Sequence, residues 1–111
     1  MPSTILCIDD RLQLLALRKA SLETRGYFVM VASSGYTGMK VLADKQVDAV
    51  LLEYRQEGMD AEAVAFHIKG QHPHLPIVLL SAYSQMSERI LWLVDDYVMK
   101  SAPLEELVRI K

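Results

Sequence analysis

Thr4-Ile5-Leu6-Cys7-Ile8-Asp9-Asp10, near the start of the 111-residue chain, decides the fold. Ile5 to Ile8 are apolar without alternation, the pattern of a parallel strand covered on both faces rather than of a half-exposed antiparallel one. Two carboxylates follow at once. The pattern returns twice, in Ala49 to Leu52, which runs into Glu53, and in Ile77 to Leu80, which runs into Ser81. Phe28 to Ala32 and a weaker run around Tyr97 to Met99 supply two further strands. The three unalternated runs, with Thr4 opening the first, are expected at the centre of the sheet.

Helical spacings fill the intervals. Leu12, Leu15, Ala16 and Leu22 predict the inner face of a helix from about Arg11 to Thr24, ended by Gly26. Gly38, Val41 and Leu42 mark a second. The third is the clearest: Ala61, Val64, Ala65 and Ile68 keep i, i+3, i+4, i+7 spacing behind Asp60 as N-cap, with Gly70 and Pro73 closing it. Met86, Ile90 and Leu93 suggest a short fourth helix. A fifth opens at Pro103, in the first turn where a missing N–H costs nothing, with Leu104, Leu107 and Val108 inside. This is (βα) five times over, an α/β chain with a doubly wound parallel five-stranded sheet and helices on both faces.

Composition narrows the function. Half the chain is hydrophobic (51%) and 23% is charged, the balance of a soluble globule, and the length fits one domain over residues 1–111. The longest unbroken apolar run, Tyr27 to Ala32, has six residues, against about 20 for a membrane helix, so no membrane association and a cytoplasmic location are expected. Twelve basic residues against fourteen acidic ones give a net charge of −2, spread along the chain. That leaves no basic field to hold a phosphate backbone, so nucleic acid is not expected as a direct partner. The single cysteine, Cys7, lies inside an apolar run and reads as a small buried hydrophobe in a reducing compartment. His67, His72 and His74 make a poor metal template, one on a helix and two in a proline-containing loop.

In a doubly wound sheet, ligands bind at the carboxyl ends of the strands. There the chain offers Asp9 and Asp10 after the first strand, Glu53 after the third, Ser81 after the fourth, and Lys100 after the fifth. Clustered carboxylates need a cation, oxygen-only ligation suits Mg²⁺, and a hard cation with a hydroxyl and a lysine is the equipment for recognising a phosphoryl group. The plainer alternative is that Asp9 and Asp10 only cap the first helix. Trp92, on the fourth helix, is open between core and a partner-binding face.

In order and at compatible spacing, these pieces resemble the receiver domains of bacterial two-component response regulators, the CheY-like family. Ile5 to Asp10 matches the first strand and acidic pair, and Gly26-Tyr27 with Ala32-Ser33-Ser34-Gly35 the second strand and its exit. Val47 to Arg55 matches the third strand with the acceptor position, Gly58-Met59-Asp60 the turn after it, Pro76 to Ala82 the fourth strand, and Asp95 to Lys100 the fifth. The resemblance implies a flavodoxin-like sheet of order 2-1-3-4-5 and a signalling domain in a phosphorelay, not an enzyme for an external substrate. It implies Mg²⁺ held by Asp9, Asp10 and residue 53, Ser81 and Lys100 as phosphoryl contacts, and Tyr97 as the switch aromatic. Its partners would be a histidine kinase or a downstream signalling protein on the face of helix 4, strand 5 and helix 5, with a homodimer through that face as a further option.

Four departures alter that expectation. The acceptor position holds Glu53, not aspartate. One extra methylene moves the carboxylate by about 1.5 Å, beyond the roughly 1 Å that near-attack geometry tolerates, which argues against ordinary phosphoryl transfer and weakens the metal site. The same extension brings a carboxylate toward Ser81 and Lys100 as an incomplete mimic of a phosphorylated aspartate. Ser101 stands where a cis-forming proline usually follows the lysine, Glu57 replaces the proline four positions after the acceptor, and the Ser81 to Lys100 segment is short. The expected function is therefore an atypical receiver acting through protein contacts. The alternatives are a working phospho-acceptor with Mg²⁺ and, more remotely, a haloacid-dehalogenase-type Mg²⁺ phosphohydrolase, for which the Asp-x-Asp motif and cap are missing. The last helix, Pro103 to Lys111, spans only about two turns and is expected to continue beyond the chain.

Overall fold

A computed structural model describes residues 3–54, 59–81 and 87–99. The elements are β1 (Thr4–Ile8), α1 (Leu12–Glu23), β2 (Phe28–Ala32), α2 (Gly35–Asp44), β3 (Ala49–Tyr54), α3 (Ala61–Gln71), β4 (Ile77–Ser81), α4 (Glu88–Leu93) and β5 (Asp96–Met99). They build one parallel sheet of order β2-β1-β3-β4-β5, with the unalternated strands β1, β3 and β4 inside. The expected fifth helix, with Ser101, lies outside the described residues, as do Glu57, Gly58, Met86 and Lys100.

Strand alternation divides the core into two layers. Ile5, Cys7, Leu51, Val78, Leu80 and Val98 face α1, where Leu15 and Leu22 close over them. Leu6, Ile8, Val50, Leu52, Ile77 and Leu79 face the other side, under Leu42 of α2, the Ala61, Val64, Ala65 and Ile68 stripe of α3, and Ile90 of α4. Each fully buried leucine or isoleucine contributes about 1.5 to 3 kcal/mol, so these layers dominate stability. Gly38 lets α2 approach β1 closely, since a Cβ there would lie 2.8 Å from Ile8 Cδ1.

Helix starts follow the sequence except at α1. Ser34 caps α2 by accepting from the Thr37 N–H, Asp60 caps α3 by accepting from Ala63, and Ser87 caps α4 by accepting from Ile90. The N-cap of α1 is Arg11, with no side-chain cap. Gly26 takes the left-handed conformation, φ 91°, just past the end of α1, as a C-terminal glycine should. The α1 stripe differs from expectation: Leu15 and Leu22 are buried, but Leu12 is 69% exposed and Ala16 is also exposed. The sheet-facing row is instead Arg11, Leu15, Arg18 and Leu22. Helix α3 also runs through Gly70 to Gln71 before stopping at His72.

Two aspartates tie down the strand starts. Asp48 Oδ2 accepts from the Thr4 N–H at 2.7 Å while the Asp48 N–H donates to Thr4 O, joining β1 to the start of β3. Asp95 Oδ2 accepts from the buried Ile77 N–H and from Lys69 Nζ, each at 2.7 Å, and Lys69 also donates to Leu75 O.

Candidate functional site

The register brings the predicted acids together at the opposite end of the sheet. Ile8 pairs with Leu52, so the next residues, Asp9 and Glu53, lie side by side. Glu53 is not past the strand, as the sequence suggested, but within β3, opposite Leu80; Ser81 closes β4 opposite Tyr54. All three are buried, with Asp9 3%, Glu53 4% and Ser81 0% exposed. Alternation carries Asp9 and Glu53 along the Cys7 and Leu51 rows toward α1, whereas Ser81 continues the Ile77 and Leu79 row toward α3 and α4.

Two carboxylates buried side by side need a compensating cation. The structure supplies Arg11, whose Nη2 stands 3.4 Å from Glu53 Oε2 and whose Nε stands 3.8 Å from Asp9 Oδ1. The Arg11 N–H also donates to Asp9 Oδ1 at 2.9 Å, anchoring the arginine's backbone to the carboxylate its side chain faces. Asp10 turns elsewhere: its Oδ2 accepts from the Met59 N–H at 3.0 Å and ties the exit of β1 to the loop before α3. The capping alternative for Asp9 and Asp10 is thereby overturned, because their oxygens serve these contacts and α1 has no side-chain cap.

Beneath the rim is a cavity of about 10 Å³ whose lining includes Cys7, Asp9, Arg18, Leu51, Glu53 and Leu80. Asp9 Oδ2, Arg11 Nε and Arg18 Nε are buried with no hydrogen-bond partner among the described residues. Burial pushes the Cys7 thiol up to about 12; Arg18 lowers it and Asp9 raises it further, so the group stays protonated at neutral pH. Arg11 and Arg18 were missed by the sequence reading. Their signal was available: Arg11, Leu15, Arg18 and Leu22 keep i, i+4, i+7, i+11 spacing, which a count restricted to apolar residues discards.

The donor chemistry at the rim suits Mg²⁺, and Asp9 Oδ2 is a buried oxygen without a hydrogen-bond partner among the described residues, but the arrangement does not fit the ion. Among the described residues no three carboxylate, imidazole or thiolate groups come together as a metal site, and a guanidinium stands between Asp9 and Glu53. Tyr97 lies on the edge strand β5, paired with Leu79 and 43% exposed. Trp92 is 86% exposed, which removes its core reading, and Leu91 beside it is 40% exposed. No helix among the described residues is long and apolar enough to cross a membrane.

Comparison with known proteins adds a family. The model of the response regulator receiver domain matches residues 5–110. The response regulator MprA of Mycobacterium sp. (strain KMS) is 33% identical over 97% of this chain and 48% of its own length, and the Escherichia coli transcriptional regulatory protein GlrR is 32% identical over 80% of this chain and 20% of its own. The chain thus spans about half or less of these relatives. Among solved structures, the Thermotoga maritima response regulator TrrA, in complex with Mg²⁺-BeF, superposes with a TM-score of 0.86 at 31% identity, covering 96% of this chain and 94% of that one. The Vibrio cholerae chemotaxis protein CheY4 shares the fold at 16% identity, with a TM-score of 0.89 and full coverage of both chains.

Proposed function

The chain belongs to the response regulator receiver domain family, and from that premise we propose that it is an atypical receiver that signals through protein contacts and not through phosphoryl transfer at its own acceptor position. The observation carrying this reading is Glu53: at the place the resemblance gives to the acceptor aspartate stands a longer carboxylate, 4% exposed and paired with Arg11. An acceptor must present an oxygen to an incoming phosphorus, and this one is engaged by a guanidinium.

Residues 1–111 act in this reading as one cytoplasmic receiver domain with no catalysis toward an external substrate. Asp9, Asp10 and Glu53 form its acidic rim, Ser81 and Lys100 the contacts inherited from phosphoryl recognition, and Tyr97 the aromatic that couples the rim to β5. The partner is a histidine kinase or a downstream signalling protein, docking on α4, β5 and the segment that follows. Exposed apolar side chains there support it, namely Leu91, Trp92 and Tyr97. A second copy of the chain is the other occupant to test on that face.

The test is titration with Mg²⁺ and then beryllofluoride or a small phosphodonor, following rim amides by NMR for the wild type and Glu53→Asp. The proposal expects a response from Glu53→Asp well above that of the wild type. Equal responses would overturn it and restore the working phospho-acceptor.

A further inference from the structure

We infer that Arg11 is the resident cation of the acidic rim, occupying between Asp9 and Glu53 the position a divalent cation would need, so that metal enters only when the guanidinium leaves. The inference rests on the receiver reading above for the choice of Mg²⁺ as the competing ion. Its physical basis is independent of that choice.

Asp9 and Glu53 have side chains only 5% and 3% exposed, so solvent screens their repulsion poorly and a positive charge must stand within a few ångströms. Arg11 is that charge among the described residues, with ion-pair distances of 3.4 and 3.8 Å to the two carboxylates. It is not a surface side chain fallen inward by chance, since its own N–H is bonded to Asp9 Oδ1. This bond fixes the backbone of residue 11 beside Asp9 and leaves the side chain free to swing away.

The contacts are also loose. Good charge-assisted N–H···O bonds run at about 2.7 to 2.9 Å, and a matched arginine–carboxylate pair is bidentate. Neither holds here: Arg11 Nε and Asp9 Oδ2 are buried without hydrogen-bond partners among the described residues, and the arginine divides itself between two acids. Arg11 balances charge while Asp9 Oδ2 keeps no hydrogen-bond partner among the described residues, and the arginine side chain is 39% exposed, leaving a path to solvent. Such a cation can be displaced, and Asp9 Oδ2 is the unused ligand atom that a displacing ion would take up. In this account metal affinity is set by a competition inside the protein as well as by the length of the carboxylate at position 53.

The experiment is Mg²⁺ titration of the full chain by calorimetry and amide NMR for the wild type, Arg11→Ala and Arg11→Ser, followed by beryllofluoride. The serine variant can cap α1 through its hydroxyl and carries the comparison if alanine compromises folding. Expected is no saturation of the wild type up to about 10 mM Mg²⁺, with both variants binding at least about tenfold more tightly, a difference of about 1.4 kcal/mol. Submillimolar binding by the wild type, unchanged in the variants, overturns the role of Arg11. Beryllofluoride then separates the two readings: a wild-type response removes the non-phosphorylated reading as well, and none leaves it standing. Absence of binding by all three proteins also overturns the inference, because something other than Arg11 then excludes the metal.

Discussion

The two ends of the sheet are built from the same parts and finished differently. At the strand starts, Asp95 accepts two bonds of 2.7 Å on one oxygen, from Ile77 and from Lys69, and Lys69 is held again by Leu75 O. At the strand exits, Asp9 and Glu53 share Arg11 at 3.8 and 3.4 Å, and a buried oxygen and a buried N–H go without hydrogen bonds among the described residues. A closed network is what a structural clamp needs, because each unsatisfied buried group costs about 1 to 3 kcal/mol. An open one leaves that cost standing. The difference sets the loosely paired exits apart from the starts, which form the frame.

The largest effect is expected from breaking the frame. Asp95→Ala strips the acceptor from the Ile77 N–H, at a residue 0% exposed, and a loss of about 2 to 3 kcal/mol should appear in urea denaturation. The ion pair with Lys69 adds little, because the Asp95 side chain is 48% exposed. Asp95→Asn keeps an acceptor oxygen and should recover most of the loss. Equal losses in the two variants would show that charge, not the hydrogen bond, holds the strand starts.

At the strand exits, Arg11→Ala should cost less, about 1 to 2 kcal/mol, since the arginine is partly solvated and its contacts are long. In a Glu53→Gln background the same substitution should cost about 1 kcal/mol less, because one of the two buried charges it served is gone. A double-mutant cycle in urea measures this coupling. No coupling would mean that Arg11 and Glu53 are neighbours without an energetic link.

A pH series examines the layer directly beneath the exits. Burial raises the Cys7 thiol to about 12 from its ordinary 9.0, so between those values the unfolded chain has lost the proton that the native state keeps. Native protein then binds more protons than unfolded, and stability falls as pH rises. The contribution is complete below pH 9, and about 1.4 kcal/mol of it should be gone at pH 10. Cys7→Ala removes this thiol-linked fall, so the stability gap between wild type and variant should narrow from pH 8 to pH 10. A constant gap would show a more hydrated layer than the burial of Cys7 indicates.

Much of this architecture was legible in the sequence because backbone physics writes it in periods. Unalternated runs located β1, β3 and β4 and put them at the sheet's centre, and the i, i+3, i+4, i+7 stripe of α3 with its Asp60 cap was read residue by residue. The rim acids were found from strand ends alone. What stayed hidden was the cation, because apolar periodicity treats arginine as surface: Leu12 and Ala16 were placed inside α1, and Arg11 and Arg18 were passed over. Glu53 was placed just beyond β3, since a carboxylate ends an apolar run in the sequence while the ladder itself continues to Tyr54.

The smallest effect distinguishes the two jobs open to residue 11. Helices α2, α3 and α4 begin with serine, aspartate and serine, each accepting from the backbone three residues on, and among the described helices only α1 begins without such a cap. The backbone at Arg11, φ −106° and ψ 107°, is already in the extended region that capping residues adopt. Arg11→Ser should therefore regain an N-cap worth about 0.5 to 1 kcal/mol, and denature at higher urea than Arg11→Ala by that margin. Both variants lose the rim cation, so they should take up Mg²⁺ alike. Equal metal binding with unequal stability would separate the helix start from the charge at the rim, showing that the chain gives up a cap at α1 in order to place a guanidinium between Asp9 and Glu53.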